Sequence, residues 1–294
     1  MSWSERLIDP KSADRRPRRA AYAIPTLFTA GNVFLGFISV MQSFQGAMLA
    51  ATGASGAEYH FALAAKAIGF AVFFDGLDGR IARLTNTVSE FGREIDSLAD
   101  IISFGIAPAV LAFAWGLWFL DPAMDPAFRE QILRAGTFIV FLFLLCGAAR
   151  LARFNVTKNP VPKNPGRPDR KYFVGLPIPA AAGMVAAVVY AAGSEPVSAW
   201  PLTIGWLGVL ALLSFLMVST WRYHSFKELN LKSPHSPLIV IFAGSLIYLI
   251  WNYSQPVLLL MATLYVSSGI VIRIGGLLRR AVRPRPPHPE HQVG

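Results

Sequence analysis

The chain has a single cysteine, Cys146, in 294 residues. It lies inside an apolar run, so a disulfide framework and a cysteine-based zinc site are both excluded. Histidine is almost as scarce. His60 opens an apolar segment, His224 and His235 share a loop, and His288 and His291 fall in a proline-rich end. No metal-ligand set can be drawn from these. Charged residues make up only 15% of the chain, too few for an ordinary soluble domain. The first 23 residues are polar and rich in arginine, with no apolar core behind them, so no secretory signal peptide is read there. No internal repeat is visible.

What is abundant is apolar sequence: 54% hydrophobic residues and a mean hydropathy of +0.46. This predicts an all-α fold, a polytopic membrane helix bundle of about eight transmembrane helices plus a short N-terminal surface helix. The spans are read at 24–44, 59–84, 88–120, 130–154, 175–192, 200–219, 237–253 and 256–274, and the surface helix at 15–22. The third span is over-long. Its first turns are polar, and its apolar part starts near Ile101. The domain plan is a basic cytoplasmic arm (1–23), one transmembrane domain (24–282) and a disordered proline-rich tail (283–294).

The net charge of +10 raises the question of nucleic acid, but its placement argues for a bilayer. With eight crossings, alternate loops share a side. That side holds all of the 27 lysines and arginines except Lys66, Arg129 and Arg134. Such asymmetry puts both termini in the cytoplasm of a multi-pass inner (cytoplasmic) membrane protein. The surplus then faces an anionic leaflet, and no nucleic-acid partner is needed. The proline-rich loop at 155–173 carries much of it, and could serve as topology signal or as a gate for a phosphate-bearing substrate.

Four aspartates interrupt the apolar sequence. Asp75 and Asp78 end the second apolar run, and Asp96 and Asp100 open the third. An ionised carboxylate at membrane depth costs roughly 2.5–3.5 kcal/mol on insertion scales. Four that converge need a cation between them, or they repel and take up protons. A structural acid pair or a proton relay is the plainer alternative. Residues three and four apart share a helix face, which puts Asp75, Asp78 and Ala82 on one stripe and Gly92, Asp96 and Asp100 on another. Thr87 with Glu90 reads as a capping box between them, so the two helices are expected to be antiparallel neighbours with their acids facing. Oxygen ligands alone suit Mg²⁺, Mn²⁺ or Ca²⁺. Four carboxylates can hold two ions as a clamp for in-line displacement at phosphorus. Gly76, Gly79 and Gly92 clear space beside the acids, although close helix packing also explains Gly92. Arg83 can meet a phosphate or anchor the helix at the interface.

The stretch Asp75-Gly76-Leu77-Asp78-Gly79, then Ala82-Arg83, then eight residues, then Gly92, Asp96 and Asp100 resembles the signature of the CDP-alcohol phosphotransferases. The resemblance implies transfer of a phosphatidyl or similar group from a CDP-linked donor to an alcohol, with release of CMP. It implies that Asp75, Asp78, Asp96 and Asp100 bind two divalent ions, Mg²⁺ or Mn²⁺, with Asp100 as general base. Gly76, Gly79, Arg83 and Gly92 would contact the nucleotide and its phosphates. A CDP-diacylglycerol donor would need a groove open to the bilayer.

Three further segments resemble the membrane-integral phosphatidylserine synthases, a branch of that family: 24–36, 150–155 and 173–182. This implies L-serine as acceptor. Its carboxylate needs a cation, and Arg150 and Arg153 are the candidates, with anchoring at the membrane edge as the alternative. Asn32 and Asn155 could contact the acceptor or join helices. Glycerol 3-phosphate, inositol phosphate and choline remain open as acceptors. A cation or proton transporter would spread its acids along a path, whereas these cluster. A homodimer is compatible with this reading.

Overall fold

The computed structural model describes residues 19–84, 90–158, 172–224 and 237–282. Side chains at 19–25, 78–84, 90, 91, 93, 157, 158, 172, 173, 222, 224, 237–243 and 276–282 are outside the description. The chain is an all-α bundle: α1 (Arg19–Ala51), α2 (Ala57–Leu84), α3 (Glu90–Asp100), a π-helical segment (Ile101–Ile106), α4 (Ala107–Gly116), α5 (Pro126–Lys158), α6 (Ile178–Ala191), α7 (Trp200–Val218), α8 (Pro237–Asn252) and α9 (Ser254–Val282). One small antiparallel ribbon joins it. β1 (Tyr172–Val174) pairs with β2 (Arg222–His224), with Phe173 opposite Tyr223.

Every expected apolar span is a helix. Six are long and apolar enough to cross a membrane, which makes this a multi-pass membrane protein. Two fall short of the roughly 20 residues a crossing takes: α6 has 14 and α8 has 16. The surface helix expected at 15–22 lies partly outside the described residues, and from Arg19 onward the chain is already α1. The arm before residue 19, the capping turn at 85–89, the loop at 159–171 and the tail from 283 also lie outside the description.

α1 shows how the bundle is organised. One face carries Leu27, Phe34, Phe37, Met41, Phe44 and Met48, all exposed and suited to lipid. The opposite face carries Thr29, Asn32, Ser39 and Ser43, all buried. Small and polar residues let helix backbones approach closely where lipid supplies no hydrophobic drive between helices. Gly36 is the tightest example. A Cβ there would lie 2.6 Å from Ser103 Oγ and 2.8 Å from Ser103 Cα, so only glycine fits. At the same crossing the Ser103 hydroxyl donates to the Asn32 carbonyl at 2.8 Å. α1 packs along α2 and against the rod formed by α3, the π segment and α4.

That rod is not a regular α-helix. The Ala107 N–H reaches back five residues to the Ile102 carbonyl. Pro108, next in line, has no N–H to bond four residues back. The widened turn therefore sits between Asp100 and a proline-started helix, at a place where π segments commonly accompany function. The core beneath it is apolar and closely packed, built around Phe104, Leu111, Phe143, Leu176, Ile178, Leu210 and Leu213.

Candidate active site

Asp75 ends the apolar part of α2, and Asp96 and Asp100 lie one helical turn apart in α3. One carboxylate oxygen from each of the three lies within 4.8 Å of the others. Asp100 is buried, and Asp75 and Asp96 are half-buried. The helices thus bring the acid stripes face to face. The side chains of Asp78, Gly79 and Arg83 lie outside the described residues. Gly76, next to Asp75, is exposed, and a Cβ there would meet nothing within 4 Å. The acids therefore border open space on that side. Gly92 is exposed too.

These residues fit a divalent cation. All three donors are carboxylates, hard ligands of the kind Mg²⁺ and Mn²⁺ prefer. Anions packed this closely at membrane depth need positive charge to offset their repulsion.

Part of that charge comes from Arg150. Its residue is only 7% exposed, and its guanidinium lies 5.3 Å from the centre of the Phe154 ring. The ionisable groups that act on it electrostatically are Asp100, Tyr265, Arg153 and Asp75. Arg150 is thus a buried cation within electrostatic reach of the acid cluster.

Arg153, one turn on, is engaged differently. Its guanidinium donates to the carbonyls of Val218 at 2.9 Å, Val174 at 3.1 Å, Ser219 at 3.3 Å and Met217 at 3.4 Å. The last carbonyls of a helix have no partner within it. Arg153 satisfies those of α7 and ties them to β1. The two arginines read together in the sequence therefore stand in different surroundings.

The two asparagines differ as well. Asn155 donates its Nδ2–H to Ser97 Oγ at 2.8 Å, a bond that links α5 to α3 beside Asp96. Asn32 is fully buried, and neither Oδ1 nor Nδ2 has a hydrogen-bond partner among the described residues. Sequence reasoning missed Ser97 and Tyr265. Tyr265 sits in an apolar stretch of α9, and no pattern in the sequence singles it out.

A polytopic helix bundle that gathers three carboxylates near a buried arginine suits the binding of a divalent cation. The family profile described as CDP-alcohol phosphatidyltransferase matches residues 22–217, and the chain belongs to that family. A CDP-diacylglycerol–serine O-phosphatidyltransferase of Helicobacter pylori is 34% identical over 255 residues, covering 87% of this chain and 92% of the relative. The protein of the same name in Methanocaldococcus jannaschii is 34% identical over 206 residues, 70% of this chain and 81% of the relative. An archaetidylserine synthase of Methanothermobacter thermautotrophicus is 32% identical over 203 residues, 68% of this chain and 69% of the relative.

Proposed function

We propose that this enzyme transfers the phosphatidyl group of CDP-diacylglycerol to the hydroxyl of L-serine, giving phosphatidylserine and CMP. The observation that carries the reading is the convergence of Asp75, Asp96 and Asp100 with a buried arginine beside them. The serine-using names of its relatives support the choice of acceptor.

Asp75, Asp78, Asp96 and Asp100 would hold two divalent ions, Mg²⁺ or Mn²⁺, which would neutralise the charge of the diphosphate. The serine oxygen attacks the phosphorus that bears the diacylglycerol, on the side opposite the CMP oxygen. As that bond forms, the bond to CMP breaks and the hydroxyl proton passes to the Asp100 carboxylate. Gly76, Gly79, Gly92 and Arg83 line the nucleotide and its phosphates. Arg150 receives the serine carboxylate, a charge-assisted contact of the stronger kind. Asn32 is a second acceptor contact. A buried amide without a partner costs about 1–3 kcal/mol, and a ligand bound against it would remove that cost. Arg153 and Asn155 hold α7, β1 and α3 in place around the pocket.

Incubating the purified protein with CDP-diacylglycerol, Mg²⁺ or Mn²⁺ and labelled L-serine, glycerol 3-phosphate, inositol phosphate or choline tests this reading. Phosphatidylserine and CMP are the expected products. A lipid product from another alcohol alone would reassign the acceptor, and no product from any would overturn the reading.

Orientation follows from the lysine and arginine distribution, with both termini and the active site cytoplasmic. A cysteine at Ser55, in the turn between α1 and α2, is expected to react with an impermeant maleimide from outside intact cells. One at Lys163 is expected to react only after the membrane is opened. The reverse pattern would invert the topology.

A further inference from the structure

Lys66 is one of the three cations that the lysine and arginine asymmetry does not account for, with Arg129 and Arg134. Arg134 pairs with Glu130 near the start of α5. Lys66 lies well inside a span, as the tenth of the 21 residues from Ala57 to Leu77. A charge at that position is costly unless something compensates it. The nearest acids on its helix, Glu58 and Asp75, are eight and nine residues away, beyond the three- and four-residue spacings that bring side chains together. Lys66 is exposed, and so are Gly69, Phe70 and Phe73, which follow it on the same helix face. A Cβ on Gly69 would meet nothing within 4 Å, so there is open space beside the lysine.

The ammonium lies over an aromatic ring. Its Nζ is 5.1 Å from the centre of Tyr190. A ring face attracts a cation but cannot neutralise it, and an ammonium has three N–H donors to satisfy. Tyr190 is the last residue but one of α6. Its hydroxyl shares a hydrogen bond of 2.9 Å with Ser254 Oγ, on the first residue of α9. One of the two O–H groups is spent on that bond, and the other is left to donate outward. α6 packs against both α2 and α9. Two helix ends therefore meet α2 partway along its span, and form a step at the level of Lys66.

We infer that Lys66 and the Tyr190–Ser254 hydroxyl pair form a binding site for the phosphate of an anionic glycerophospholipid seated in this step. A helix as short as α6 draws the bilayer surface toward its end, and the lysine stem lets the ammonium reach out to meet a headgroup. Phe70 and Phe73 continue the same exposed face toward Asp75 and give the acyl chains a surface to lie on. That surface selects a lipid over a free anion. A basic group between spanning helices favours a lipid with net negative charge. The site is separated from Asp75 by nine residues, roughly 13 Å along α2, and does not depend on which acceptor the enzyme uses.

Native mass spectrometry of the purified full-length protein, exchanged into micelles holding equal amounts of phosphatidylglycerol and phosphatidylcholine, tests the site. The wild type is expected to retain phosphatidylglycerol in preference. Lys66→Gln should weaken that preference roughly five- to tenfold, and Lys66→Arg should keep it. Arg273→Gln removes one charge from an exposed position elsewhere on α9 and should leave the preference intact. The rise in Tm on adding phosphatidylglycerol should follow the same order, and Tm without added lipid checks that each variant is folded. An undiminished preference in Lys66→Gln overturns the site. So does an equal loss in Arg273→Gln, which would make the effect one of net charge, or a wild type that retains both lipids alike.

Discussion

Asp100→Asn is expected to cut turnover by roughly 10²–10⁴-fold, the usual contribution of a positioned general base, while CDP-diacylglycerol still binds. The side chain keeps its size and, on the proposed mechanism, loses the ability to take the acceptor's proton. Asp100 suits the part. It is buried, lies within 4.8 Å of two other carboxylates and is within electrostatic reach of Arg150. It also ends α3, where the widened turn begins, so its backbone is held from both sides. Asp75→Asn and Asp96→Asn are expected to behave otherwise, weakening metal and donor binding and so raising KM. Steady-state kinetics with each substrate varied, together with CMP binding by each variant, separates the two patterns. Wild-type turnover in Asp100→Asn would remove this residue from the chemistry.

Chelation is the second large effect. EDTA is expected to abolish activity, and excess Mg²⁺ or Mn²⁺ to restore it. The reason is charge. A cluster of carboxylates repels a diphosphate, and nothing in the Asp75–Asp96–Asp100 set is itself cationic. Arg150 is a single positive charge against several negative ones, too few to hold an anionic donor beside the acids. The same cation should stabilise the fold, because binding to the native state alone raises Tm with ligand concentration. A CMP-release assay and a thermal melt in detergent, each with and without chelator, check both expectations. Full activity in EDTA would sink the metal-assisted route.

The bundle was legible in the sequence because runs of apolar residues near the length of a bilayer leave little choice of structure. The convergence of Asp75, Asp96 and Asp100 was legible too, since i, i+3 and i, i+4 spacing fixes which side chains share a helix face. The roles of neighbouring polar residues were harder to read. Arg150 and Arg153 are three apart and chemically identical, but one is within electrostatic reach of the acids and the other closes the end of α7. That difference depends on where β1 and α7 end, and no local pattern records it. Asn155 looked like Asn32, but its partner is Ser97, on a helix far away in the chain. The π segment was invisible because it arises from Pro108 acting on a turn whose residues are ordinary helix formers in other settings.

The shortness of α6 bears on how non-helical backbone is housed at membrane depth. Fourteen residues rise about 21 Å, against a hydrocarbon thickness of about 30 Å. Just before α6 runs the ribbon of β1 and β2, on the side where α5 and α7 end. Non-helical backbone is tolerated at that depth only when it is enclosed by protein or faces water. Arg153 meets part of this demand by bonding the Val174 carbonyl. The pairing of β1 with β2 meets more of it, since the two strands bond each other. A helix this much shorter than the hydrocarbon is accommodated by local thinning of the bilayer or by neighbouring protein, so the start of α6 depends on Arg153 and the ribbon for the company that lipid cannot give.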